Sequence, residues 1–345
     1  MKTRTTRTAC TGGVVVLLAG CLGACGSSGG PSGSAQQIGI DIPRTDSDFW
    51  KAYAKYLQQE IGAQQLDVLP LTHSEGDEAK FTANIQALQR RRPKSIVMAP
   101  QNTVTTDVTL SGLFAANINA ISVDTEPEHG NVYMVVRTDN KAYGTKACEF
   151  LGKQLGGKGK VAELQGALNS VNGYDRSEAF ATCMKRNYPK IQVIELPTDW
   201  KGDVAAAKLQ STLATHPDLN GIYMQAGGVF LQPTLDVLRQ KGLLKPAGQS
   251  GHITIVSNDG IPTELAAIRE GQIDATVSQP ADLYAKYALF YARAAAQGKS
   301  FQTGPTDHQS TIIQLPNGLE DQLPAPLVTK DNVNDPALWA NHPVG

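Results

Sequence analysis

The stretch SIVMAPQNTVTTDVTLSGLFAANINAISVD, residues 95–124, decides the fold. It begins with a short apolar run (95–99), continues into a segment with apolar side chains at helical spacing (104–116), and ends in a second apolar run (120–123). Apolar runs of this length are typical of strands buried on both faces, and a helix between two of them is typical of a parallel strand–helix–strand unit. The stretch therefore predicts one repeat of a parallel α/β sheet.

The same alternation extends from this unit in both directions. Further strands are predicted over 37–42, 66–71, 132–136, 160–164, 192–196, 221–225, 253–257 and 274–278. Further helices are predicted over 49–61, 77–91, 142–155, 177–187, 204–215, 230–241, 262–270 and 283–297. Two such series of comparable length indicate an α/β protein with two doubly wound, Rossmann-like parallel-sheet lobes. The length of 345 residues, with 41% hydrophobic side chains, is sufficient for two cores.

The charge composition argues against nucleic acid as a partner. The chain has 31 basic and 32 acidic residues, a formal net charge of −1. Proteins that bind nucleic acid carry a clear basic excess, which this chain lacks. The run Arg90-Arg91-Arg92 closes a predicted helix before Pro93, where it suits the helix dipole, and we prefer that explanation to anion binding.

The N-terminus has the layout of a secretory signal peptide. Basic residues without acids precede a short apolar core (14–19), which is followed by small residues and cysteine. Cys21 and Cys25 both follow sequences that resemble the bacterial lipobox, in which a cysteine receives lipid and becomes the mature N-terminus. We favour Cys25, since a Gly/Ser-rich tether follows it directly. The alternatives are Cys21 or an ordinary cleaved signal. Cleavage before Cys25 leaves a net charge of −4.

Two cysteines lie in the predicted second half. Export places Cys148 and Cys183 in an oxidising compartment, where either a disulfide or two buried thiols are possible. We expect the disulfide. The six histidines show no paired ligand spacing, so we expect no metal, and no local signature of a hydrolase is present.

Polar and aromatic side chains recur where the predicted strands end. In open α/β sheets ligands bind beyond the C-terminal ends of the strands, so these positions are the candidates for a binding site. They are Ser47, Phe49, Trp50, Asp124, Thr138, Arg176, Trp200, Gln225, Asp259 and Gln279. Aromatic rings stack on the C–H faces of a sugar, while carboxylate, amide and guanidinium groups bind its hydroxyls. Each residue alone has a structural explanation, such as a helix cap, but their recurrence in both halves favours one shared site.

Several short motifs, taken in order, resemble the periplasmic sugar-binding proteins of ABC importers, in the ribose-binding branch. The resemblance spans about residues 36–310. Its motifs are Asp46-Ser47-Asp48-Phe49-Trp50, Val97-Met98-Ala99-Pro100, Ser122-Val123-Asp124, Thr138 to Gly144, Gly157 to Val161, Arg176 to Phe180, His216 to Ile222, Asn258-Asp259-Gly260 and Ala275 to Pro280.

The resemblance implies two lobes, joined by a three-stranded hinge, that close on a monosaccharide and dock on a membrane permease. The implied division is a signal peptide (1–24), a tether (25–35), an N-terminal lobe (36–137 plus 280–306) and a C-terminal lobe (138–279 plus 307–345). Stacking roles are implied for Phe49, Trp50 and Trp200, a hydroxyl contact for Ser47, and polar contacts for Asp124, Arg176, Asp259 and Gln279.

Two positions depart from the family pattern. Gln225-Ala226-Gly227-Gly228 stands where the family usually has Gln-Asn-Asp, and Thr125 stands where ribose binders carry an arginine. The side chain of Ala226 neither donates nor accepts a hydrogen bond. We therefore expect another pentose or hexose, a polyol or a related hydroxylated molecule rather than ribose.

We expect a lipid-anchored, extracytoplasmic substrate-binding protein of an ABC importer. It is expected to be a monomer without cofactor or catalytic activity, whose partners are a small sugar or polyol and the permease, and which contacts the membrane through its lipid anchor only. A sensor that presents its ligand to a chemoreceptor or histidine kinase is not separable by sequence. A secreted hydrolase is the more distant alternative.

Overall fold

The computed structural model describes residues 37–342, apart from 101 and 104. The predicted signal peptide, the tether, Cys21 and Cys25 lie outside the described residues. Among the described helices, none combines the length and the apolar character needed to cross a membrane.

The first sheet is built mainly from the N-terminal part of the chain. Its strands are β1 (Ile38–Ile42), β2 (Thr72–His73), β3 (Ser95–Met98), β4 (Asn119–Val123), β5 (Met134–Thr138), β11 (Gly304–Pro305), β12 (Thr311–Leu315) and β13 (Gly318–Leu323), in the spatial order β11-β12-β13-β5-β4-β3-β1-β2. Strands β1 to β5 pair in parallel with one another and β13 pairs in parallel with β5, whereas β12 is antiparallel to both β11 and β13. The helices of this lobe are α1 (Asp48–Gln64), α2 (Glu78–Arg90), α3 (Asp107–Ala115) and α9 (Ala281–Ala296).

The second sheet is built from the middle of the chain. Its strands are β6 (Lys158–Gln165), β7 (Lys190–Pro197), β8 (Gly221–Met224), β9 (Thr254–Asp259), β10 (Ala275–Ser278) and β14 (Leu327–Thr329), in the order β14-β10-β9-β8-β6-β7. All pairs are parallel except β10 with β14. The helices are α4 (Asn140–Gln154), α5 (Val171–Asn187), α6 (Gly202–Thr215), α7 (Gly227–Gln240) and α8 (Pro262–Arg269). The prediction of two parallel-sheet lobes is confirmed.

The chain passes between the two sheets at three places. The connections lie between β5 and α4, between β10 and α9, and between β13 and β14. All three leave a strand at its C-terminal end. These ends therefore face each other across the gap between the lobes, where the candidate residues were predicted to meet.

One predicted lobe boundary is wrong. Residues 307–323 were assigned to the C-terminal lobe, but β12 and β13 extend the first sheet, with β13 parallel to β5. A buried ion pair fixes this register, since Arg137 Nε donates to Glu320 Oε2 at 2.8 Å. The second sheet gains only β14 from this part of the chain.

Helix starts differ from the prediction where a helix faces the gap between the lobes. Helix α5 begins at Val171 rather than at 177, and α7 begins at Gly227 rather than at 230. The first two turns of α5 bury the polar residues Asn172 and Arg176 instead of an apolar stripe, so periodicity alone does not detect the start of this helix. The strand predicted over 66–71 is reduced to a single bridge at Val68, and β2 lies at 72–73.

Cys148 of α4 and Cys183 of α5 are joined by a disulfide, with their Cα atoms 6.2 Å apart. The two helices pack side by side on one face of the second sheet. The same two helices also approach each other closely at Gly144 of α4, where an added Cβ would lie 2.3 Å from the carbonyl oxygen of Arg176 on α5. The glycine and the disulfide therefore fix the position of the helix that carries Arg176.

Candidate functional site

A cavity of about 100 Å³ lies between the lobes at the C-terminal ends of the strands. Eight of the ten residues predicted as ligand contacts line it: Ser47, Phe49, Trp50, Asp124, Arg176, Trp200, Asp259 and Gln279. They come from both lobes and from the segment that connects β10 to α9. This volume is far below that of a pocket for a drug-sized molecule, so the cavity suits a small ligand.

Arg176 is the central donor of the cavity and is 3% exposed. Its Nε donates to Asn140 Oδ1 at 2.6 Å, Nη1 to the carbonyl oxygen of Gln225 at 2.5 Å, and Nη2 to Gln279 Oε1 at 3.1 Å. These three bonds use three of the five N–H groups of the guanidinium. Because all three acceptors are uncharged, the positive charge is held in place without being neutralised by a direct ion pair.

Aromatic rings flank the same guanidinium. Its Cζ lies 4.8 Å from the ring centroid of Tyr143 and 5.8 Å from that of Trp200, within the range of cation–π attraction. Trp200 in turn stacks on Phe230, with centroids 6.4 Å apart and planes at 11°. It also packs on Gly166, where an added Cβ would lie 2.0 Å from the indole. The indole therefore has a fixed orientation in the cavity wall.

The N-terminal lobe contributes a second aromatic wall. Trp50 packs edge-to-face on Phe49, with centroids 5.1 Å apart and planes at 76°, and on Tyr53 at 5.3 Å and 89°. Phe49 and Tyr53 both lie on the buried face of α1. The cavity is thus bounded by one tryptophan from each lobe.

Asp124 connects the lobes through hydrogen bonds. It follows β4 in the left-handed conformation, with φ of +64°. Gln279 Nε2 donates to its Oδ1 at 2.8 Å, and Asn172 Nδ2 of the other lobe donates to its Oδ2 at 2.7 Å. Burial raises the pKa of Asp124, while the positive charge of Arg176 opposes this shift. The side-chain hydrogen bonds to this carboxylate therefore come from the opposite lobe and from the segment that connects the lobes.

Two carboxyl groups, those of Asp259 and Glu264, lie beneath the start of α7. The N–H of Gly228 donates to Asp259 Oδ2 at 2.8 Å, and Asp259 itself has φ of +109°. Glu264 lies under Gly227, where an added Cβ would meet its Oε1 at 2.0 Å. Burial raises the pKa of Asp259 to about 7 and that of Glu264 to about 8. The two acids are therefore largely protonated in mildly acidic solution.

This acid pair gives the protein a pH-dependent stability. Glu264 has a folded pKa of about 8 against an ordinary value of 4.5, so the folded state holds the proton more tightly than the unfolded state. The free energy of unfolding therefore falls as the pH rises from 4.5 through 8. We expect Glu264→Gln to raise the melting temperature more at about pH 9 than at about pH 5, because glutamine stays neutral. An equal effect at both pH values in calorimetry would contradict the burial of an ionising group here.

The lobes touch directly at the start of α7. Gly228 faces the start of α1 so closely that an added Cβ would lie 2.7 Å from Ser47 Oγ and 3.3 Å from the backbone nitrogen of Phe49. Nearby, Arg44 Nη2 donates to the carbonyl oxygen of Trp200 at 3.4 Å across the same gap. These contacts, with the bond from Asn172 to Asp124, define a closed arrangement of the lobes.

Two predicted contacts lie beneath the cavity instead of lining it. The hydroxyl of Thr138 bonds to the hydroxyls of Tyr143 and Tyr284. Gln225 accepts from the N–H of Gly166 at 2.9 Å and donates to Glu163 at 2.8 Å. The predicted lining position of both residues is wrong, because their side chains turn into the lobe cores and saturate their hydrogen bonds there.

Other lining residues were missed. Asn172 and Ser170 precede the predicted start of α5, and Arg44 precedes the predicted start of α1. Arg44 is held by both oxygens of Asp46 at 2.8 Å. Asn172 would have been identified only if the polar residues before Arg176 had been interpreted as part of a helix instead of a loop. In the described part of the chain, no group of three or more potential metal ligands converges.

The fold and the cavity between its lobes define a class of two-lobe binding proteins. Residues 38–300 match the model of the periplasmic binding protein domain, and the chain belongs to this family. Its relatives are binding proteins rather than enzymes.

Three relatives illustrate the similarity. The ribose import binding protein of Escherichia coli is 27% identical over 279 residues, covering 80% of this chain and 90% of the relative. The xylitol-binding protein of Mycolicibacterium smegmatis is 24% identical over 260 residues, covering 75% and 67%. The crystal structure of an ABC transporter solute-binding protein from Mycobacterium smegmatis with bound glycerol is 26% identical, with a TM-score of 0.75, and covers 86% of this chain and 95% of that one.

Proposed function

We propose that this chain is the substrate-binding protein of an ABC importer and captures a monosaccharide or polyol between its lobes. The observation that carries the proposal is the cavity itself, in which Trp50 and Trp200 from opposite lobes face a hydrogen-bonding group centred on Arg176. The relatives named for ribose and xylitol support the same ligand class.

The lining matches the chemistry of a sugar ring or polyol. The indoles offer flat apolar faces for C–H groups. The two N–H groups of Arg176 that make no bond to the protein can bind hydroxyl oxygens, and Asp124 and Asp259 accept from hydroxyl hydrogens. Charged partners of this kind contribute about 1.5–3 kcal/mol for each hydrogen bond in a site without water.

The charges favour an uncharged ligand. Asp124 and Asp259 line the cavity together with Arg176, while the charge of Arg44 is balanced by Asp46. A carboxylate or phosphate on the ligand would lie beside the carboxylate of Asp124 and beside Asp259, which is negatively charged above its pKa of about 7, and burying like charges together is costly. Sugar acids and sugar phosphates are therefore expected to bind poorly.

Ligand capture and lobe closure are coupled in this proposal. A ligand that touches Trp50 on one side and Trp200 on the other makes its full set of contacts only when the lobes are closed. It therefore shifts the equilibrium toward the closed arrangement by the free energy of those additional contacts. A permease that recognises the closed arrangement would receive only the loaded protein.

A thermal-shift screen tests the proposed ligand class. We expect at least one neutral pentose, hexose, polyol or inositol to raise the melting temperature, and the matching aldonic acids and sugar phosphates to leave it unchanged. Amino acids serve as the control class of similar size. A shift produced by amino acids or sugar acids, with none from neutral sugars or polyols, would refute the proposal.

We further propose that Cys25 carries a lipid that anchors the protein outside the plasma membrane. The support is its sequence context, with small residues before it and a Gly/Ser-rich stretch after it. We expect Cys25→Ser to abolish lipid attachment, measured by mass spectrometry of the membrane fraction, and Cys21→Ser to leave it intact. Loss of the lipid in Cys21→Ser alone would assign the anchor to Cys21 instead.

A further inference from the structure

A basic groove lies at the pole of the N-terminal lobe, at the edge of the sheet opposite the cavity. It has a volume of about 740 Å³ and lies between the C-terminal ends of α2 and α3 and the start of β3. Its polar lining consists of Arg90, Arg92 and Lys94, with Gln86, Gln89 and Asn117. No carboxylate is among its lining residues, and the three cationic side chains are exposed.

The helix dipoles account for only part of this charge. Each helix C-terminus carries about half a negative charge, so the ends of α2 and α3 together balance about one cation. Arg90, Arg92 and Lys94 form no ion pair with any other residue that the structure describes, and Arg91 adds a fourth positive charge beside them. Asp67, at the same edge, bonds to the side chain of Gln37 at 3.2 Å. The four cations exceed the charge of the two helix ends and of Asp67 by about two positive charges.

The described chain begins beside this groove. The N–H of Lys94 donates to the carbonyl oxygen of Gln37 at 2.9 Å, and Ile38 pairs with Ser95 in the parallel register of β1 and β3. Eleven residues lie between Cys25 and Gln37, so the chain between them spans at most about 43 Å. Because β1 begins at this pole, a lipid on Cys25 would keep the pole within that distance of the membrane surface.

We propose that the basic groove binds the phosphate headgroups of anionic phospholipids, so that the N-terminal lobe rests on the membrane by this pole. Guanidinium groups bind phosphate oxygens in pairs, and the amide side chains supply further donors. Basic residues near an anionic bilayer are attracted over about one Debye length, and the attraction weakens with salt. The contact adds to the lipid anchor and does not depend on the ligand, and it leaves the cavity at the far edge of the sheet accessible from solution.

The test is co-sedimentation of the chain from Gly26 onward, which carries no lipid, with vesicles. We expect binding to vesicles that contain phosphatidylglycerol, no binding to pure phosphatidylcholine vesicles, and release by salt. The triple variant Arg90→Gln, Arg92→Gln, Lys94→Gln is expected to lower the partition coefficient at least about tenfold. The matched control is Lys158→Gln, Lys185→Gln, Lys190→Gln, which removes the same charge from exposed positions of the other lobe. It is expected to bind like the parent chain.

Three results would overturn the proposal. They are equal binding to both kinds of vesicle, equal losses in the two triple variants, and tight binding of inorganic phosphate to the groove in calorimetry without vesicle binding. The thermal-shift response to sugars is measured on the same variants. Because the groove lies far from the cavity, that response is expected to remain, so failure of the membrane proposal is distinguishable from failure of the sugar-binding proposal.

Discussion

Replacing Arg176 with lysine lowers the affinity for the ligand by about 100-fold, while the protein keeps its fold. The guanidinium holds Asn140, Gln225 and Gln279 and still has two N–H groups for the ligand. An ammonium has three donors on one atom and cannot serve both sets. Loss of one or two charged hydrogen bonds corresponds to about two orders of magnitude in affinity. The positive charge beside Asp124 and Asp259 is retained, so the fold is expected to survive.

Isothermal titration calorimetry with the ligand identified by the screen measures this loss. Arg186→Lys is the matched control, since Arg186 lies on the same helix, is exposed, and makes its side-chain bond to Asn187. Its affinity should equal that of the parent protein. An Arg176→Lys protein that binds within about threefold of the parent would remove Arg176 from the site.

Replacing Gly228 with valine prevents full closure of the lobes. Gly228 lies on α7 of one lobe, and an added Cβ would meet Ser47 Oγ of the other lobe at 2.7 Å. A β-branched side chain is larger still, so the lobes must stay apart. Overpacking of this kind costs about 1–3 kcal/mol, which predicts an affinity about 10 to 100 times weaker. Within its own lobe the added Cβ would lie 3.2 Å from Asp259 Oδ2, so the melting temperature without ligand should fall slightly.

The closure argument has a rescue and a control. Adding Ser47→Ala removes the hydroxyl that the valine meets and should restore part of the affinity. Gly62→Val places the same side chain on α1 where nothing lies within 4 Å, and should leave affinity unchanged. If Gly228→Val binds as well as the parent protein, the contact between Ser47 and α7 is not part of the liganded state.

The fold was predictable because buried parallel strands and amphipathic helices leave a strong periodic signal. The signal fails where burial is polar. The first two turns of α5 bury Asn172 and Arg176 against the cavity, so they show no apolar stripe. The start of α7 shows none either, because it places Gly227 against Glu264 and Gly228 against Ser47. The placement of β12 and β13 also escaped prediction, since pairing between residues 135 and 320 depends on long-range contacts such as Arg137 with Glu320.

Most of the site was predictable from one topological rule, that ligands bind at the C-terminal ends of parallel strands. The rule locates a strand end but does not give the direction of each side chain. Thr138 and Gln225 occupy the right ends, yet their side chains bond inside the lobes, to Tyr284 and Glu163. Asn172 at the start of α5 bonds to Asp124 at the end of β4, and these two positions come together only in the folded chain.

The central claim is that one ligand is held by both lobes at once. Small-angle X-ray scattering, with and without the sugar or polyol that gives the largest thermal shift, measures it directly. We predict that the radius of gyration falls when one equivalent of ligand is added, and that it stays constant for Gly228→Val at the same concentration. A parent protein saturated with ligand but unchanged in radius would contradict capture between closing lobes.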